Sequence, residues 1–130
     1  MINIFAPINA LGYGVHARGW IQGLYKWRKD ITLSVIGGIQ TKLEKDEVPI
    51  IQELSKNGDD FKFNDPSLYI FHEQFGNCFC GDPMITSPVF ETSHLEKRSK
   101  NLLNQMGHVI AVSKWQKGVL EDNGIKKKKI

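Results

Sequence analysis

The feature that most constrains this chain is an alternation: short apolar runs rich in β-formers take turns with stretches whose apolar residues recur every three or four positions. Ile2 to Pro7 reads as a strand stopped by Pro7, with Gly12-Tyr13-Gly14 as a flexible glycine loop after it. Val15, Trp20, Ile21, Leu24 and Trp27 make a helix stripe that ends at Asp30. Ile31 to Ile36 is a second strand closed by Gly37-Gly38, and Val48, Ile50, Ile51 and Leu54 predict a second helix ending near Asn57-Gly58. Leu68 to Phe71 reads as a third strand, Gln74 to Pro83 as a glycine-containing loop and Ile85 to Phe90 as a fourth strand. Leu95, Leu102, Leu103 and Met106 mark a helix, and Val109 to Val112 a fifth strand. Ser113 is placed to cap a last helix through Trp115, Val119 and Leu120, which stops at Asn123-Gly124. Strands separated by helices are joined by parallel crossovers, and a parallel sheet needs cover on both faces. The expectation is a doubly wound α/β domain with a mainly parallel sheet of about five strands.

Composition narrows the function classes. At 130 residues the chain fits one domain able to bury roughly 65–70% of its unfolded surface. Its net charge of +3 rests on Lys126 to Lys129, since thirteen cations against fourteen carboxylates remain without them, so no specific nucleic-acid partner is expected. Cys78 and Cys80 are too close to close a loop and have no other thiol to pair with, which fits a reducing compartment. No run approaches the ~18 apolar residues of a membrane span, and Met1 opens directly into a strand-like segment. A cytoplasmic location follows as an expectation, with Tyr25-Lys26-Trp27-Arg28-Lys29 and the terminal lysines as a surface that could lie against an anionic membrane.

An open α/β sheet places its site at the carboxyl ends of its strands, so Pro7 to Gly14, Gly37-Gly38, His72 to Gly81 and Glu91 to His94 are expected along one edge. Gly12-Tyr13-Gly14-Val15-His16-Ala17 fits a G-x-G-x-x-G/A pattern, in which glycines let backbone amides approach a phosphate at a helix start. The acidic residue that a dinucleotide site wants at the end of the second strand is missing, because Ile36-Gly37-Gly38-Ile39 stands there. Phosphate or sugar contact at Gly12, Tyr13 and Gly14 is therefore expected rather than a nicotinamide or flavin cofactor, with a purely structural turn as the alternative. His16 and Arg18 sit where either could meet an anionic ligand. His72, Cys78, Cys80 and His94 could be imagined around zinc, but the Cys-x-Cys spacing argues against a metal.

Ile4-Phe5-Ala6-Pro7-Ile8-Asn9, with Gly12-Tyr13-Gly14 and Arg18, resembles the opening of family-four glycosyltransferases of the GT-B fold. A second block agrees in order and spacing: Val89-Phe90-Glu91-Thr92, then Leu103-Asn104-Gln105-Met106, then Val109-Ile110-Ala111-Val112-Ser113-Lys114-Trp115. The resemblance implies one half of a GT-B fold, a Rossmann-like amino-terminal domain over residues 1–130 that holds the acceptor, with the carboxy-terminal donor-binding domain absent from this sequence. It implies sugar transfer from a nucleotide-sugar donor to a hydroxyl acceptor on a sugar, lipid or protein, with anomeric retention and no cofactor beyond the donor. His72-Glu73 falls where many relatives carry a histidine and an acid facing the cleft. A histidine there can hydrogen-bond a sugar hydroxyl or steady leaving phosphate charge. Glu91 stands where relatives place a histidine near the reacting sugar, so its candidacy rests on what a carboxylate can do, orienting the acceptor or acting as base. The catalytic candidates are thus His72 and Glu91, and the substrate-binding candidates are Gly12, Tyr13, Gly14, Arg18, Glu73 and Thr92. Alone the chain is expected to be folded but silent, completed by a second domain or partner chain, and prone to homo-oligomers through an uncovered apolar edge. The competing expectations are a stand-alone nucleotide or phosphate-binding Rossmann-like module and a truncated remnant kept as an interaction domain.

Overall fold

A computed structural model describes residues 1–130. Five strands, β1 (Ile2–Asn9), β2 (Ile31–Gln40), β3 (Ser67–Tyr69), β4 (Met84–Thr86) and β5 (His108–Val109), form one sheet in the order β2-β1-β3-β4-β5. Every neighbouring pair is parallel. Four helices accompany them: α1 (Gly12–Trp27), α2 (Glu47–Lys56), α3 (Lys97–Gln105) and α4 (Lys114–Asp122). The chain is thus a Rossmann-like, doubly wound α/β domain with five parallel strands.

The two faces of the sheet carry two cores, set by the period-two alternation of a strand. Ile4, Ala6 and Ile8 point to one face with their register partners Leu33 and Leu68, and pack on Ala17 and Ile21 of α1 and Ile51 and Leu54 of α2. The intervening Phe5 points the other way and meets the rings of Phe61 and Phe79, at 5.8 and 5.0 Å between centroids. Further along that face Val109 joins Leu103 of α3 and Leu120 of α4 in the second core. Asn3 is buried beneath the phenylalanines, yet its amide donates to the Lys62 carbonyl and its oxygen accepts the Thr32 hydroxyl, so burial leaves no polar atom orphaned there.

Local structure departs from the sequence expectation in four places. Pro7 does not stop β1, which runs on to Asn9. Gly37 and Gly38 do not close β2: they adopt φ of +74° and +76° as a two-residue bulge, across which the register steps from Pro7 opposite Ile36 to Ile8 opposite Ile39. Gly12 to Gly14 form no loop but the first turn of α1, so only Ala10 and Leu11 separate strand from helix. Strands β3, β4 and β5 end before their apolar runs do, although Ser87 and Val89 still donate to the Tyr69 and Phe71 carbonyls. The last helix forms as its sequence predicts, with the Ser113 hydroxyl accepting the Gln116 N–H at 3.0 Å and Gly124 at a φ of +82° beyond its end.

Candidate functional site

The order in which strands are added reverses at β1, whose two neighbours are β2 on one side and β3 on the other. The crevice outside the carboxyl ends of β1 and β3 is therefore the topological switch point, the position where open α/β sheets bind ligands. Tyr13, in the first turn of α1, reaches across it to the segment following β3. Its ring lies 5.3 Å from Phe71 and 5.3 Å from His72, edge-on to both. Phe75 completes the group, stacked 5.8 Å from Phe71. The half-buried His72 ring makes no hydrogen bond within the protein, so both its nitrogens remain open to a ligand. Its backbone is fixed instead: the Tyr69 hydroxyl donates to the His72 carbonyl at 2.5 Å, and Phe75 N–H adds a second bond at 3.2 Å. Burial pushes the Tyr69 phenol well above its usual range, which keeps it a donor.

Beside this group lies a cavity of about 250 Å³ between the ends of β1, β4 and β5. Gly12 and His16 of α1 form one wall, and Pro88 to Phe90 with Val112, Ser113, Trp115 and Gln116 form the others. Gln116 ties those walls together. Its buried side chain accepts the Val112 N–H and donates to the Pro88 carbonyl, both at 2.7 Å. Leu11, at the cap position of α1, offers no side-chain acceptor to the helix's first turn.

The remaining candidates are not all gathered here. Gly14 is buried against β1 rather than turned to the crevice: a Cβ at this position would lie 2.1 Å from Asn9 Oδ1 and 2.5 Å from the Asn9 carbonyl oxygen. The glycine is required by close helix–strand packing, the part that the last glycine plays in the dinucleotide fingerprint. Arg18 points toward α2, where its guanidinium grips both oxygens of buried Glu47 at 2.8 and 2.7 Å and is not free for an anion. Glu73 accepts the Ser99 hydroxyl at 3.2 Å and faces α3. Glu91 is exposed one residue beyond the cavity wall, without a hydrogen bond of its own. The loop after it leaves the edge, because Asn123 at the far end of α4 accepts from Leu95 N–H and donates to the Ser93 carbonyl. Thr92 travels with that loop and closes a small turn on His94. No group of three His, Cys, Asp or Glu side chains is placed to share a metal ion, and no helix is long and apolar enough to cross a membrane.

Two participants are invisible in the sequence. Ser87, fully buried, and Trp20 both bond to Nε2 of His16, at 2.9 and 3.1 Å. Burial lowers the His16 pKa, which favours the neutral ring. The aromatic spacing of Phe71 and Phe75 around His72 was the one available signal for the ring cluster. Comparisons with models of known families, with curated proteins and with solved structures return no match to this chain.

Proposed function

We propose that the chain is the acceptor-side domain of a retaining GT-B glycosyltransferase, moving a sugar from a nucleotide-sugar donor to a hydroxyl acceptor together with a donor-binding domain or partner chain. The observation that carries this reading is the meeting of Tyr13 and His72 at the switch point of an all-parallel sheet. An acceptor ring laid on Tyr13 and Phe71 would find apolar faces, and the open imidazole of His72 would hold its hydroxyl. Glu73 is a positioning residue in this scheme: anchored to Ser99, it holds the turn that presents His72. Glu91, exposed beside the cavity, is the carboxylate available to orient the acceptor or take its proton. The first-turn N–H groups of α1 are free to meet a donor phosphate oxygen, which also favours the second reading, a stand-alone phosphate-binding module.

Saturation-transfer NMR on this chain separates the two. The first reading expects contact with simple methyl glycosides that Tyr13→Ala abolishes, and weaker contact with uridine- and guanosine-diphosphate sugars. Binding of inorganic phosphate with no glycoside contact would favour the module. Low-micromolar binding of NAD or FAD would overturn the first reading and promote a dehydrogenase-like alternative.

A further inference from the structure

The cavity between β1, β4 and β5 combines an uncharged lining with a place at the sheet's carboxyl edge, which the larger grooves do not. The grooves of about 530 and 460 Å³ lie along the outer side of α1 and beside β5, away from the sheet's carboxyl edge or rimmed by lysines. No Asp, Glu, Lys or Arg lines the smaller cavity, whose walls are Pro88, Val89, Phe90, Val112 and Trp115. The Phe90 and Trp115 rings form a tilted pair in its wall, with centroids 6.2 Å apart. Of its polar side chains, Gln116 is engaged on two backbone groups, and Ser113 accepts the Gln116 N–H as helix cap.

His16 is the exception, and its hydrogen bonds fix how. The indole N–H of Trp20 can only donate, so Nε2 of His16 must accept, and the Ser87 hydroxyl donates to the same nitrogen. A neutral imidazole with Nε2 as acceptor carries its proton on Nδ1, and that N–H has no partner in the protein. Protonating Nε2 would set one N–H against another, so the ring cannot turn cationic for an anion without giving up Trp20. A saccharide would set many hydroxyls against walls that are mostly apolar and pair few of them.

We propose that this cavity binds an uncharged molecule built on an apolar ring and bearing one hydroxyl or carbonyl oxygen, which accepts the Nδ1–H of His16. The ring lies against the Phe90 and Trp115 pair, and its oxygen meets the His16 N–H. This site does not depend on the sugar-transfer reading: glycoside contact at Tyr13 and ring binding here can each fail alone.

Calorimetric titration with four probes tests it: α-naphthol, naphthalene, α-naphthyl phosphate and methyl glucoside. The proposal expects α-naphthol to bind at least about tenfold more tightly than each of the others. It also expects the His16 Nδ1 proton resonance to move with α-naphthol and not with naphthalene. Val112 is 56% exposed on the rim, so Val112→Lys should weaken α-naphthol by about tenfold or more without changing the melting temperature. Failure of α-naphthol to bind, equal or tighter binding of α-naphthyl phosphate or methyl glucoside, or indifference to Val112→Lys in a folded protein would each overturn the assignment.

Discussion

The two halves of the molecule are held together differently. In the first, β1 and β2 pair over eight positions, and both bury one face in the eleven-residue core under α1 and α2. In the second, β3, β4 and β5 contribute three, three and two residues, and the core under α3 and α4 has six. There the backbone is pegged by side chains instead: Tyr69 on His72, Gln116 on Val112 and Pro88, Asn123 on Ser93 and Leu95. Long ladders make a frame that tolerates little change, whereas pegged loops let a site be shaped residue by residue. Tyr13 is the frame's contribution to the site, and nearly everything else at the sheet's carboxyl edge belongs to the second half.

The largest effect should come from the frame. Gly14→Val drives a side chain into the Asn9 backbone and is expected to cost about 3 kcal/mol or more, read as a lower denaturation midpoint with hydrogen exchange quickened throughout β1 and β2. A near-native midpoint would mean that α1 can slide on β1, and that the frame is no stiffer than the loops.

Next is Glu47→Gln, which leaves the Arg18 guanidinium half-matched and is expected to cost about 2 kcal/mol near neutral pH, reduced from a fully buried pair because Arg18 is 19% exposed. The loss should depend on pH. Glu47 ordinarily titrates near 4.5, and the Arg18 hydrogen bonds hold it lower in the fold against the opposing pull of burial. The folded state therefore binds this proton less readily than the unfolded chain. The pair's stability is complete above 4.5 and disappears as pH falls through the depressed value, so the acid side of the stability profile should flatten in Glu47→Gln.

A smaller and more local effect is expected from Gln116→Leu. It strands the Val112 N–H and the Pro88 carbonyl and should cost about 1.5 kcal/mol. Exchange should quicken over residues 84–90 and 108–116 and stay slow in β1 and β2. Uniform quickening would erase the distinction between frame and pegged loops.

Much of this fold is legible because strand and helix periods are local. The apolar runs at Ile2, Ile31, Leu68 and Ile85 each lie on a strand, and the Ser113 cap and Gly124 stop are decided within one helical turn. What escaped depends on distant partners. A glycine needed for packing looks the same in sequence as a loop glycine, so Gly14 reveals its purpose only against Asn9. Arg18 looks like a free cation until Glu47 arrives from 29 positions away. Thr92 is carried off by Asn123, and His16 is set by Ser87, 71 residues downstream. Within the site, Tyr13 and His72 could be nominated from their strand ends, but the cavity beside them is assembled from α1, α4 and the segments after β4 and β5 and has no signature of its own.

The central claim is that His72 works at this edge while Gly14 and Arg18 hold the frame. On the proposed sugar-transfer reading, the most direct measurement is the rate of labelled-sugar transfer, with the proposed donor-binding domain or partner supplied, for His72→Ala beside its melting temperature. Removing the ring leaves in place the His72 carbonyl that Tyr69 and Phe75 bind, so melting should change little. The account predicts a fall in transfer of about a hundredfold with near-native melting. Full transfer activity in folded His72→Ala would contradict it.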